Sequence, residues 1–188
     1  MGRSILDKML ESEKIILRPF EEKDLEKWTS WFNDKDTTLY MNKRVFPNTL
    51  AQQKAHLKNS KVDKNNVQFA IVLKNEERSL IGSIGIHKID WVHRTGDISI
   101  LIGEKIGLGK GIGKEAIKIL VNHAFLKMNL RKITAGMWSE NIGSKKAFEA
   151  NGFSLEGTRR KQFEANGKFY DSFEYGLLRD EWEERQNV

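Results

Sequence analysis

The chain has 188 residues, enough for one domain whose core needs no cross-links. It contains no cysteine, which excludes a disulfide framework, a thiolate metal site and a cysteine nucleophile, and suits a reducing, cytoplasmic setting. The net charge of +6 asks for an anionic partner, yet the lysines are scattered and no RNA-binding signature accompanies them, so an anionic cofactor accounts for the charge better than nucleic acid.

From the N-terminus, MGRSILDKML has no long apolar signal core and misses the myristoylation pattern, with Leu6 where Ser or Thr is required. No apolar run later in the chain approaches the roughly 20 residues of a membrane span. KIILRP reads as a short strand ended by Pro19. Leu25, Trp28, Trp31 and Phe32 recur at helical spacing in EEKDLEKWTSWFND. An irregular connection, DTTLYMNKRVF, leads to a second helix in FPNTLAQQKAHLKNS, where Thr49 and Gln52 have the capping-box spacing. VQFAIVLK, SLIGSIGIHKI and GDISILIG read as an antiparallel meander. A helix over about residues 113–128 follows, with Ile117, Leu120, Val121 and Ala124 on its apolar face. Next come the strand KITAGMW, a short helix in NIGSKKAFEANGF closed by Gly152, and a terminal hairpin in GTRRKQFEANGKFYDSFEYGLLRDEW turning at ANGK. The predicted fold is one α/β (α+β) domain with a mixed, mostly antiparallel sheet, its core over about residues 14–182 and its ends loose.

Ahead of the central helix stand four glycines in seven residues, Gly107, Gly109, Gly111 and Gly113, with Lys110 and Lys114 among them. A Walker A loop fails, because Leu108 falls at its first glycine and Glu115 at its Ser/Thr. Residues 111–116 satisfy the loose dinucleotide fingerprint, but the loop follows antiparallel strands and the next strand ends in Gly136-Met137-Trp138, without the acid that binds a ribose. A bare strand-to-helix turn needs fewer glycines. The remaining reading is a pyrophosphate on the helix N-terminus, cradled by successive N–H groups from Gly109 to Lys114.

The segment Leu108-Gly109-Lys110-Gly111-Ile112-Gly113 resembles the coenzyme A loop of the GCN5-related N-acetyltransferases, and NIGSKKAFEANGF, residues 141–153, resembles their downstream Asn-containing block. The likeness runs from IILRPFEEKDLEKWTSWFND to LLRDEW and points to the branch of ribosomal-protein and polyamine acetyltransferases. It implies a sheet splayed at the acetyl-CoA site and direct transfer of acetyl from acetyl-CoA to a primary amine, without an acyl-enzyme or a metal. Ile100, Leu101 and Ile102 would pair by main chain with the pantetheine arm, and N–H groups near Leu101 and Ile102 would serve the oxyanion. Asn141 would bond the same arm, though a plain helix N-cap is its simpler role, and Ser144 lies one turn on. Dimers are common among such proteins.

Two departures stand out. Leu108 replaces the usual Gln or Arg, and Phe148 stands where the family commonly has the tyrosine thought to protonate the leaving thiolate. Three readings of Phe148 follow: the ring packs in the core while water handles the proton; Tyr40 or Tyr170 substitutes; or the chain is a non-catalytic coenzyme A-binding module. Asp97, where the branch often carries an acid, is the candidate base, against a plain exposed charge. His87 and His93 read as surface residues and His123 as structural.

By the same resemblance the acceptor side draws on Tyr40, Met41, Arg44 and Phe46, then Trp91, His93 and Arg94. Arginines and aromatics without acids argue against polyamines and for a protein N-terminus or a nucleotide-linked amino sugar.

Overall fold

The computed structural model describes residues 10–41, 46–60 and 62–187. Strands β1 (Ile15–Arg18), β2 (Val67–Leu73), β3 (Leu80–Asp90) and β4 (Thr95–Ile102) pair antiparallel in sequence, as the meander predicts. β5 (Lys132–Trp138) joins β4 in parallel. The hairpin of β6 (Ser154–Ala165) and β7 (Lys168–Leu178) completes the sheet with β7 inside, giving the order β1-β2-β3-β4-β5-β7-β6. Asn166 and Gly167 turn that hairpin at φ 52° and 72°, the paired positive angles that a two-residue turn between twisted strands demands.

Two helical layers sandwich part of the sheet, and strand alternation decides which residue meets which layer. Helix α3 (Ile112–Leu126) buries Ile112, Ala116, Ile117, Leu120 and Ala124 against residues such as Ile71, Ile84, Ile98 and Ile133. Helix α1 (Leu25–Asn33) and helix α2 (Leu50–Ser60) cover the other face, where Trp28, Trp31 and Leu57 meet Ala70, Val72 and Leu80. The capping box forms, with Thr49 N–H donating to Gln52 at 2.9 Å and Gln52 N–H donating to Thr49 Oγ1 at 3.2 Å. The turn into α1 is held by a fork of Arg18 on Asp24 at 2.6 and 2.9 Å. Trp31 reaches the far end of β4, donating to Glu104 at 2.8 Å.

Helix α4 (Ile142–Glu149) packs beside α3, and Asn151 ties the two by donating to the carbonyls of Lys114 and Ala147. One predicted boundary is corrected. The hairpin does not run to Trp182; β7 stops at Leu178 and helix α5 (Arg179–Gln186) takes over. Glu181 accepts the Leu178 N–H at 2.9 Å, and Trp182 docks on α3 through Asn122, so a capped, anchored turn wins over strand continuation.

Candidate active site

The parallel pairing of β4 and β5 lasts three residues, Thr95↔Lys132, Gly96↔Ile133 and Asp97↔Thr134, and then stops. β5 continues to Trp138 on β7, and β4 continues to Ile102 on β3, so a wedge opens between them. Gly103 N–H donates to the Ile81 carbonyl at 2.9 Å. Antiparallel ladders alternate the direction of successive N–H groups, so those of Ile100 and Ile102 face the wedge. The Leu101 N–H, expected among the oxyanion donors, is directed at β3 by the same alternation.

The opened strand leads into the glycine turn. Gly109 and Gly111 hold φ +71° and +76°, and a Cβ on either would meet nothing within 4 Å, so their conformation rather than crowding calls for glycine. Gly113 differs. It lies in the first turn of α3, and a Cβ there would touch only Ile100 Cδ1 at 3.8 Å. Neither backbone nor packing explains a glycine at that point, whereas close approach of a ligand does. Gly111 is the N-cap and no side chain caps it, while Glu115 N–H makes an intrahelical bond back to Gly111. The N–H groups of Ile112, Gly113 and Lys114 therefore stand at the positive end of the helix dipole. Lys110 borders, with Lys14, Lys74 and Ile106, a cleft of about 440 Å³ beside this turn. Leu108, in the turn itself, is exposed.

Asn141 caps α4 by accepting the Ser144 N–H at 3.1 Å, which is its simpler expected role and occupies only its carbonyl half. Phe148 is 3% exposed and packs edge-on against Phe153 in the α3 core, so its ring has almost no surface to give a ligand. Tyr175, which the sequence reading passed over, has its hydroxyl near α4, donating to Glu149 at 2.9 Å. Burial and that carboxylate push its pKa up to about 12, which makes it a poor proton donor.

At the apex of the wedge the face turned away from α3 is polar, and it is exposed at Ser99 and Gly136. Asp97 and Ser99 come from β4, Thr134 and Gly136 from β5, Ser172 and Glu174 from β7. Asp97 is half-buried and accepts from Thr134 Oγ1 at 3.3 Å. Burial pushes its carboxyl above the usual range; the Lys88 charge and the Thr134 bond oppose this, and the Glu174 charge adds to it. Further along, Trp138 stacks on Phe163 with ring centres 4.5 Å apart and lies 5.5 Å from Tyr170 and 6.1 Å from Tyr40. Tyr40 thus reaches the site.

The rest of the expected acceptor set does not gather there. Trp91 donates to the Lys64 carbonyl, and the Arg94 carbonyl accepts from Arg131 and Lys132 at the opposite end of β5. Along the seven residues of β5 that end and Trp138 are six steps apart, roughly 20 Å. Phe46 is 80% exposed, and Arg44 lies outside the described residues. His87 bonds Ser99 Oγ at 2.8 Å in an exposed contact, and His123 packs against Phe69. Glu174 and Trp138 escaped the sequence reading because one sits in the terminal hairpin and the other at a strand end.

Comparisons with known proteins agree with this geometry. The profile described as "Acetyltransferase (GNAT) domain" matches residues 14–154. The N-acetyltransferase p20 of Bacillus licheniformis, itself uncharacterized, is 29% identical over 175 residues, covering 92% of this chain and 97% of p20. Among solved structures, an acetyltransferase of the GNAT family from Bacillus anthracis superposes with a TM-score of 0.77 at 26% identity, covering 91% of this chain and 98% of the other. A spermidine N-acetyltransferase from Vibrio cholerae in complex with CoA and spermine superposes with a TM-score of 0.82 at 22% identity over 91% and 99% of the two chains, a likeness of fold. A chain with this wedge, this glycine turn and this profile match belongs to the GNAT family of acetyltransferases.

Proposed function

We propose that this enzyme moves the acetyl group of acetyl-CoA directly to a primary amine held on the polar face at the wedge apex. The observation that carries the reading is the loss of β4–β5 pairing beyond Asp97↔Thr134, which leaves a strand edge open between the α3 N-terminus and that face. Acetyl-CoA supplies the activated acyl group as a thioester. The backbone N–H groups from Gly109 to Lys114 fit its pyrophosphate. The free edge of Ile100–Ile102 fits the amide-bearing arm. N–H groups on that edge are aimed where negative charge would develop on the carbonyl oxygen. Asp97 is the group placed to take a proton from the incoming ammonium, and its raised pKa brings it nearer to the value a base needs around neutrality. Phe148 packs in the core and has no proton to give. A thiol of pKa near 8.5 leaves tolerably without a dedicated acid.

Of the two acceptors expected from the sequence, a protein N-terminus fits the floor better. Its α-ammonium matches the carboxylates and its first side chain the half-buried ring of Tyr170, whereas the Arg94 backbone lies at the end of β5 away from that ring. The buried Phe148 favours one second reading, a coenzyme A-binding module without transfer. Both are tested by thiol release from acetyl-CoA against peptides with free N-termini, spermidine and a UDP-linked amino sugar. Transfer requires release with at least one of them, and the second reading requires acetyl-CoA binding with none.

A further inference from the structure

Besides Asp97, the polar face holds a second carboxylate. We propose that Glu174 is the residue that receives the acceptor's ammonium, in a slot left open by Gly136, with the carbon chain next to the ammonium lying along Tyr170. This rests on the transfer reading above and names the part of the site that selects its amine.

Four observations place the slot. Glu174 pairs with Gly136 across β7 and β5, and Gly136 is exposed in mid-sheet, so bare backbone floors the space beneath the carboxylate. The three atoms nearest to a Cβ at Gly136 would all belong to that carboxylate, at 3.4, 3.7 and 3.9 Å. The fold therefore has room for alanine and does not dictate glycine here. The Glu174 carboxylate is also held in position: Ser172 Oγ donates to Oε1 at 2.9 Å, and Arg159 Nε lies 3.2 Å from the same oxygen. Both contacts use Oε1, while Oε2 is the atom nearest the empty Cβ position. Lastly, the slot adjoins the wedge apex. Gly136 is two residues beyond Thr134, where β4–β5 pairing ends, and it shares a face with Asp97.

Two carboxylates flanking a glycine floor make a seat for one compact cation, and the raised Asp97 carboxyl reflects in part the Glu174 charge across it. Beyond the slot the wall is aromatic: Trp138, two residues on in β5, is buried and backs the half-buried Tyr170, four residues on in β7, with ring centres 5.5 Å apart. The Tyr170 ring takes the methylene carbons or a side chain beside the ammonium and adds a cation–π contribution. The substrate class is a primary alkylammonium with an apolar or aromatic segment next to the amine. The absence of acids from the LYMNKRVF stretch, residues 39–46, therefore does not argue against cationic acceptors, because the acids are supplied by β4 and β7.

The test uses the full chain, with thiol release from acetyl-CoA measured against butylamine, spermidine and a peptide with a free N-terminal serine. Glu174→Gln is expected to raise KM for the amine roughly tenfold or more, with acetyl-CoA affinity and melting temperature unchanged. Gly136→Ala is expected to do the same by filling the slot, while melting at or above the wild-type temperature, since alanine strengthens a strand interior relative to glycine. Amine KM unchanged in both variants overturns the inference and leaves the transfer reading intact. Equal loss of acetyl-CoA affinity also overturns it, by showing a role in the cofactor seat. Wild-type protein that binds acetyl-CoA and acetylates no amine of the set overturns the transfer reading and this inference with it.

Discussion

Gly113→Ala separates a ligand-built glycine from a conformational one. Its position in the first helical turn has ordinary helical geometry, and the new methyl would sit 3.8 Å from Ile100 Cδ1, an easy contact. Replacing glycine by alanine inside a helix is worth about 0.8–1 kcal/mol. For a chain of this size that corresponds to a rise in melting temperature of about 2–4 °C. The same methyl would stand where a phosphate must approach the α3 N–H groups. Losing one hydrogen bond to a charged group costs about 1.5–3 kcal/mol. Acetyl-CoA affinity should then fall roughly ten- to hundredfold. Calorimetric titration beside a thermal melt reads both effects on one sample. A protein that melts higher yet binds more weakly shows that the glycine serves the ligand. If Gly113→Ala binds acetyl-CoA as tightly as the wild type, the phosphate-cradle argument is wrong. Gly111→Ala is the less informative variant, because φ +76° would cost an L-residue about 1–2 kcal/mol whether or not a ligand binds.

Phe148→Tyr should retain or raise thiol release, and should lose about 1–3 kcal/mol of stability if the added hydroxyl is buried without a partner; a collapse in turnover with the fold intact would put this ring in the acceptor site instead. Tyr175→Phe should leave turnover unchanged and cost about 1 kcal/mol in a denaturant melt, because its proton is committed to Glu149; a large loss of turnover would make Tyr175 the missing acid. Asp97→Asn should lower kcat by roughly 10²–10⁴ if Asp97 is the base, with acetyl-CoA affinity preserved. The folded protein raises the Asp97 pKa, so the ionised carboxylate disfavours folding at pH values above it, and this penalty fades as pH falls below the ordinary carboxylate range. Asp97→Asn should therefore melt higher than the wild type near pH 8, and the gap should close at about pH 3, below the ordinary carboxylate value; equal melting at both would remove the burial argument.

The strand meander, the capping box, the Asn166-Gly167 turn and the α3 stripe were readable because each is set by neighbours in sequence. Period-two alternation, turn chemistry and 3.6-residue spacing act locally. The glycine turn was legible for the same reason, since its role lies in the backbone. Helix α5 was not, because what ends β7 at Leu178 is partly Trp182 docking on Asn122, 60 residues away in the chain. The acceptor face was the least legible part. Asp97, Gly136 and Glu174 lie on three strands and share a face only through register, so no spacing rule joins them. Arg94 showed the converse: close in sequence to the strand that opens the wedge, yet with its carbonyl against Arg131 and Lys132 at the end of β5 away from Trp138.

The central claim is acetyl transfer from acetyl-CoA to an amine, and incubation of the wild-type chain with acetyl-CoA and the amine set, followed by thiol detection and mass analysis of the amines, tests it most directly. The account predicts stoichiometric free thiol and one or more amines heavier by a single acetyl group, with no acetyl retained on the protein. Acetyl-CoA binding without thiol release for any amine, or an acetylated protein intermediate, would contradict it.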